Sequence, residues 1–157
     1  MKKTIIRTIG RPTEPWQREA IHMYQERLSP FGGVDVVELP DGHGGTAKPD
    51  VARAMKTEAA SLLQGIPPDA YVVALDERGK ALSSLQFAKL AAEWTSEGTT
   101  VVFLIGGSWG LDSSVTKRAH LVLSLGFMTF PHILARIVLL EQIYRTGMIR
   151  SGKTYHK

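Results

Sequence analysis

Apolar runs rich in β-branched residues alternate along this chain with segments whose apolar residues recur at helical spacing. KTIIRTIG (3–10) reads as a strand that stops at Gly10. PWQREAIHMYQERL (15–28) brings round Trp16, Ala20, Met23, Tyr24 and Leu28, with Thr13 or Glu14 near its start and Pro15 in its first turn. VDVVELP (34–40) is a second strand. DGHGGTAKPD (41–50), rich in Gly and Pro, is the expected mobile loop, leading into a helix over about 50–64 with Asp50 as its cap. A buried strand from Tyr71 to Leu75 ends in a polar turn, and a helix over 83–98 runs from Ser83 or Ser84 to Gly98. TTVVFLIGGSWG (99–110) is a strand entering three glycines. A short helix (111–119), a strand (120–126) and a strong helix (131–149) opened by Pro131 complete the chain. This alternation predicts one α/β domain over 1–157, with a mainly parallel sheet flanked by helices. In such sheets ligands sit beyond the carboxyl ends of strands. The loops after Leu75, Ile105 and Leu125 would line one pocket if their strands are neighbours.

Several chemistries are absent from the pattern. No apolar run approaches the roughly 18 residues that span a bilayer, so no membrane partner is expected. MKKTIIRTIGRP reads as a first strand rather than a leader, which makes the cytoplasm the expected location. With no cysteine, disulfides, thiolate metal sites and cysteine nucleophiles are excluded. The histidines (His22, His43, His120, His132 and His156) form no metal-binding pair, and no metal is expected. GGSWG is neither a dinucleotide fingerprint nor a P-loop, and Ser108 has no identifiable base for hydrolase chemistry. The net charge of +4 is concentrated at the ends: Lys2, Lys3, Arg7 and Arg11 at one, and Arg145, Arg150, Lys153, His156 and Lys157 at the other. If the ends meet they form a face for a polyanion; the alternative is charge kept for solubility.

What remains is the Gly106-Gly107 turn and the loop SLGFMTFPH (124–132) in front of the last helix. Apolar walls with free main-chain groups suit a flat aromatic ligand such as adenine. The alternative is that the glycines only turn the chain and Phe127 and Phe130 are core.

VVFLIGGSWGL (101–111), LSLGFMTFPHILARIVLLEQIYR (123–145) and the ending YHK (155–157), with YVVALDERGK and GRPTEPWQREAIHMYQERLSPF, resemble the RlmH family over essentially the whole chain. These are SPOUT-class methyltransferases. The resemblance implies S-adenosyl-L-methionine as cofactor and a C-terminal trefoil knot, although connection rules disfavour knots in general. It implies transfer to N3 of a pseudouridine in 23S ribosomal RNA (the family's position 1915, in helix 69) on assembled ribosomes. It also implies a homodimer. Cofactor contacts carried over by position fall on Leu75, Gly106 and the run Leu125, Gly126, Phe127, Met128, Thr129 and Phe130. Gly126 stands where the family can carry a serine, so only a main-chain contact would persist there. Other readings are a SPOUT enzyme acting on transfer RNA or another base, and a non-catalytic RNA-binding module.

The attacking nitrogen must lose a proton, so a cation and a base are needed near it. Arg136 and His132 share one helix face. Arg136 is the expected charge stabiliser, with His132 or His156 handling the proton. Tyr155 and His156 lie on the basic tail and could reach the partner subunit's site. Structural alternatives are that His132 caps the helix and that Arg136 pairs with a carboxylate. Glu141 and Arg145 are spaced as a helix pair. Tyr144 reads as core or interface, Trp109 as a base stacker or an exposed loop aromatic, and Trp16 and Trp94 as core. The helix from Ile133 to Ile143 is apolar on nearly every side, as expected for burial in the domain or against a second copy.

Overall fold

The computed structural model describes residues 3–157; Lys2, counted above among the N-terminal cations, lies outside the described residues. Five strands and five helices follow in the order β1 (Thr4–Ile9), α1 (Pro15–Leu28), β2 (Asp35–Leu39), α2 (Val51–Leu63), β3 (Tyr71–Ala81), α3 (Ser84–Ser96), β4 (Val101–Ile105), α4 (Ser113–Arg118), β5 (Leu121–Ser124) and α5 (His132–Arg150). The sheet order is β2-β1-β4-β3-β5 and every pairing is parallel. The α/β expectation therefore holds.

Helix starts follow local chemistry. Asp50 accepts a hydrogen bond from the Arg53 amide (3.2 Å). Ser83 and Gln86 cap reciprocally: the Gln86 amide donates to Ser83 Oγ (3.1 Å) and the Ser83 amide to Gln86 Oε1 (2.8 Å). Pro131 sits at the cap position, one residue before α5, rather than in its first turn.

The central strand β4 is buried on both faces, as a parallel strand covered by helices must be. Its alternation sorts the core into two layers. Val101, Phe103 and Ile105 pack with Phe87, Trp94, Leu139 and Leu140 under α1, α3 and α5. Val102 and Leu104 pack with Ala59, Leu62, Leu111 and Val115 under α2 and α4. Trp94 stacks on Tyr71 at 4.7 Å, as expected of core. Trp16 is a correction: it is 54% exposed. Successive helix residues turn by 100°, so Trp16 lies roughly 120–140° round α1 from the Ile21–Leu28 ridge that faces the sheet.

A second correction concerns β3. The polar segment expected to be a turn stays within the strand, but the register with β5 slips from Leu75↔Leu123 to Lys80↔Leu123. Asp76 to Gly79 are thrown out as a bulge. Asp76 stabilises it by accepting from the amide, Nε and NH2 of Arg78 (2.8, 3.0 and 2.9 Å), which holds the carboxyl below its ordinary range. Gly79 lets the two backbones close up: a Cβ there would stand 2.6 Å from the Val122 carbonyl oxygen. No helix among the described residues is long and apolar enough to cross a membrane.

Candidate functional site

β4, β3 and β5 follow one another in the sheet: Gly106 and Leu125 come directly after the last residues of β4 and β5, and Leu75 lies within β3, one residue past its last pairing with β4 (Ala74 with Leu104) and opposite Leu123 of β5. The condition for one shared pocket is met. At β4 the chain enters a tight turn in which the Gly110 amide donates to the Gly107 carbonyl (3.1 Å). A Cβ on Gly106 would lie 2.6 Å from the Gly110 carbonyl oxygen, so the turn itself requires glycine there. At β5 the run 125–130 is the most exposed apolar segment described: Phe127 is fully exposed and Met128 79% exposed. Phe127 is therefore not core. Two anchors hold this loop. Ser124 Oγ exchanges hydrogen bonds with the Gly126 amide (3.2 Å) and carbonyl (2.8 Å), with Gly126 at φ +132°. Thr129 donates to Glu77 Oε2 (2.8 Å), tying the loop to the β3 bulge. A cavity of about 280 Å³ opens beside Leu125, between Ser83, Ser84 and Phe87 of the α3 start and Val138 and Gln142 of α5.

His132 and Arg136 do share a face, but that face turns toward β1 and β2. His132 Nε2 lies against Gly10, 2.9 Å from where a Cβ would stand. Burial, reinforced by the Arg136 charge, lowers the His132 pKa, so the imidazole is neutral at pH 7. Arg136 is completely buried. It donates to Glu38 Oε1 (2.7 Å), Thr8 Oγ1 (3.2 Å) and the Gly10 carbonyl (2.9 Å). Burial pulls its pKa down, while Glu38 opposes the shift. Glu38 also faces the exposed Arg11 at 4.0 Å. Nothing in the spacing pointed to Glu38, the hub of this cluster; its position at the end of β2 was the only signal.

Tyr155 and His156 form a separate group. Glu141 Oε1 accepts from Arg145 NH2 (2.7 Å) and from the Tyr155 hydroxyl (3.0 Å), so the expected helix pair is present and extended. Arg145 also lies 3.3 Å from His156 Nδ1 and 4.7 Å from the Tyr155 ring centre. Burial and then the Glu141 bond raise the Tyr155 pKa. Tyr144 packs edge-on against Tyr155 (5.1 Å) and Phe31 (6.1 Å). At 1.5 Å per residue, the tail clasp at Arg145 lies about 20 Å along α5 from His132. One chain does not bring the four candidate catalytic residues together.

The basic ends differ in availability. Arg7 turns inward, donating to the Ser61 carbonyl (2.8 Å), and Lys3 pairs with Asp35 (2.7 Å). Lys153 lies over Phe31 and Arg27 over Tyr24 and Tyr144, which gathers cations where α1 ends and α5 meets the tail. Among the described residues no three His, Cys, Asp or Glu are grouped as metal ligands.

Comparison with known proteins bears on the family and the fold. Residues 1–156 match the family model described as "Predicted SPOUT methyltransferase". The chain is 42% identical over 149 residues to the ribosomal RNA large subunit methyltransferase H of Gluconacetobacter diazotrophicus, covering 95% of this chain and 93% of that protein. It is 40% identical over 160 residues to the protein of the same name from Carboxydothermus hydrogenoformans, covering both completely. A solved structure of a probable methylase family protein from Haemophilus influenzae shares the fold, with a TM-score of 0.54 at 10% identity, over 99% of this chain and 71% of that one.

Proposed function

Because this chain belongs to the SPOUT methyltransferase family, we propose that it methylates N3 of a pseudouridine in helix 69 of 23S ribosomal RNA, using S-adenosyl-L-methionine, on assembled ribosomes. The names of its relatives support ribosomal RNA as the substrate. The observation that supports the cofactor assignment is the bare apolar run 125–130 after β5, with Leu75 on the neighbouring β3 and the Gly106 turn after β4, one strand further on. Exposed apolar side chains suit an adenine ring.

Leu75, Gly106 and the residues from Leu125 to Phe130 would hold the cofactor, whose sulfonium supplies an activated methyl group. This chain's residues then align the acceptor and manage its proton. Fixing two reactants in line is itself worth several kcal/mol. His132, kept neutral by burial, is able to accept the N3 proton. Arg136 sets a buried positive charge behind it and fixes the start of α5 against β1 and β2. Tyr155 and His156, about 20 Å away along α5, serve the site of the partner subunit in a homodimer. The loops after β3, β4 and β5 are those that would form the family's knot. The enzyme works in the cytoplasm, where ribosomes are found.

The test is transfer of labelled methyl to whole ribosomes, free large subunits and naked ribosomal RNA that lack the modification, with mass mapping of the product. Transfer to one pseudouridine in assembled particles is the expected result. Tight cofactor binding without transfer to any of the three would redirect the search to transfer RNA.

A further inference from the structure

Glu58, on α2, is a buried carboxylate (2% exposed) outside the site described above. Burying a carboxylate is costly unless its oxygens are used. One oxygen, Oε1, accepts from the Gly42 amide (3.0 Å), and Oε2 has no partner among the described residues. Gly107 makes room for this group, and Gly42 lets the loop that bonds it lie on the α2 backbone. A Cβ on Gly107 would stand 3.1 and 3.2 Å from the two carboxylate oxygens. A Cβ on Gly42 would meet the Ala54 carbonyl oxygen at 2.2 Å. Glu58 is thus wedged between the loop after β2 and the turn after β4.

The loop after β2 is built around His43. Its Nδ1 accepts from the Gly45 amide (3.0 Å), its carbonyl accepts from Thr46, and its Nε2 lies 3.3 Å from Asp41. The ring meets Trp109 edge-on at 5.6 Å. Trp109 is three residues beyond Gly106 and remains 36% exposed. The amide and hydroxyl of Ser114 hold the Asp112 carboxyl, just past the turn, below its ordinary range, and Lys56 and Lys117 add smaller contributions, so cations flank this corner.

We propose that Glu58 is a positioning residue that locks loop 41–46 onto the 106–110 turn, and that the His43–Trp109 pair so fixed is the rest for an unpaired RNA base. This rests on the RNA-methylation reading. An exposed indole stacks on any base face, and nearby lysines favour the phosphates on either side. A base resting on Trp109 would be delivered next to Gly106, where the cofactor is assigned.

Steady-state methyl transfer to ribosomal particles, calorimetric cofactor binding and thermal melting of the full chain test the proposal. Glu58→Ala is expected to raise KM for the particle about tenfold, with kcat and cofactor Kd within about threefold. Glu58→Gln keeps the shape and the Gly42 bond and is expected to stay within about threefold of the parent. Glu58→Ala combined with Trp109→Ala should be no worse than Trp109→Ala alone. If Glu58→Ala does not fold, Gly42→Ala displaces the same loop and withdraws its amide from Glu58 while leaving the carboxylate side chain in place, and should show the same KM defect. Additive effects in the double variant, or a loss of cofactor affinity matching the loss in KM, would overturn the assignment. If the parent protein methylates no particle, the substrate reading fails but the clamp is still measurable. With Trp16→Phe and Trp94→Phe, acrylamide should quench Trp109 about twice as effectively in the Glu58→Ala protein, because an uncovered indole is more accessible. Unchanged quenching would remove the clamp.

Discussion

The two sides of the α5 start are built in opposite ways. On one side Arg136 is completely buried, and its guanidinium joins the ends of β1 and β2 through three hydrogen bonds. On the other, Phe127 and Met128 stand in solvent on a loop held at Ser124 and Thr129. Preset polar contacts fix where the helix begins. The exposed apolar groups are left uncovered by the described residues, which is the condition expected where a ligand supplies the missing contacts. The difference separates what the protein must hold rigid from what it leaves for binding.

Arg136→Met attacks the rigid side and carries the largest expected effect. It leaves Glu38, itself 29% exposed and still facing Arg11, without its main partner and should cost about 2–3 kcal/mol in urea unfolding, since the remaining carboxylate keeps partial access to water. Arg136→Lys should recover part of this, because a lysine keeps the charge but loses the fork that reaches Glu38 and Gly10 together. A loss under about 1 kcal/mol for Arg136→Met would break the contrast. Phe127→Ser with Met128→Ser attacks the bare side. Stability should move by no more than about 0.5 kcal/mol, while cofactor affinity by calorimetry falls at least about tenfold, or roughly 1.4 kcal/mol. Unchanged affinity would mean that the exposed side chains serve something else.

The smallest effect sharpens the boundary between the two sides. The folded pKa of His132 lies below its unfolded value of about 6.5. Below that pH the unfolded chain therefore takes up a proton that the folded chain resists. The stability tied to the neutral imidazole is complete above about pH 6.5 and is lost as pH falls through the folded value. As pH falls from about 6.5 through the folded value, melting temperature should drop more steeply in the parent than in His132→Gln. Asp76 and Asp112, both held below the ordinary carboxylate range, titrate outside that window.

The order of strands and helices was readable from the sequence because hydrophobic period and capping residues are local. The neighbours in the sheet were not, since no local pattern says that β5 joins β3 rather than β4. The residues of the candidate pocket were legible as glycine turns and an apolar loop. Their meeting depended on that unreadable strand order. Spacing showed that His132 and Arg136 share a face, but not which way it turns, and it turns toward Gly10 and Glu38. For the same reason Trp16, at helical spacing, was assigned to the core and stands in solvent. The β3 bulge was misread because DERGK has turn composition, while strand pairing resumes at Lys80 through a backbone approach that only Gly79 permits.

The parallel sheet has a consequence for how the chain is made. β1 has β4 as one of its two neighbours, with Ile6 paired to Phe103, so β1 waits for a strand far downstream before the sheet can close around it. Its last polar contacts come later still, because Thr8 and Gly10 receive Arg136 from 128 and 126 residues downstream. Until then a strand with an apolar face is bare on a nascent chain. The clasp on β1 and β2 therefore closes only when α5 is in place, and a variant lacking α5 would leave both strand ends unclasped and open to chaperones and proteases.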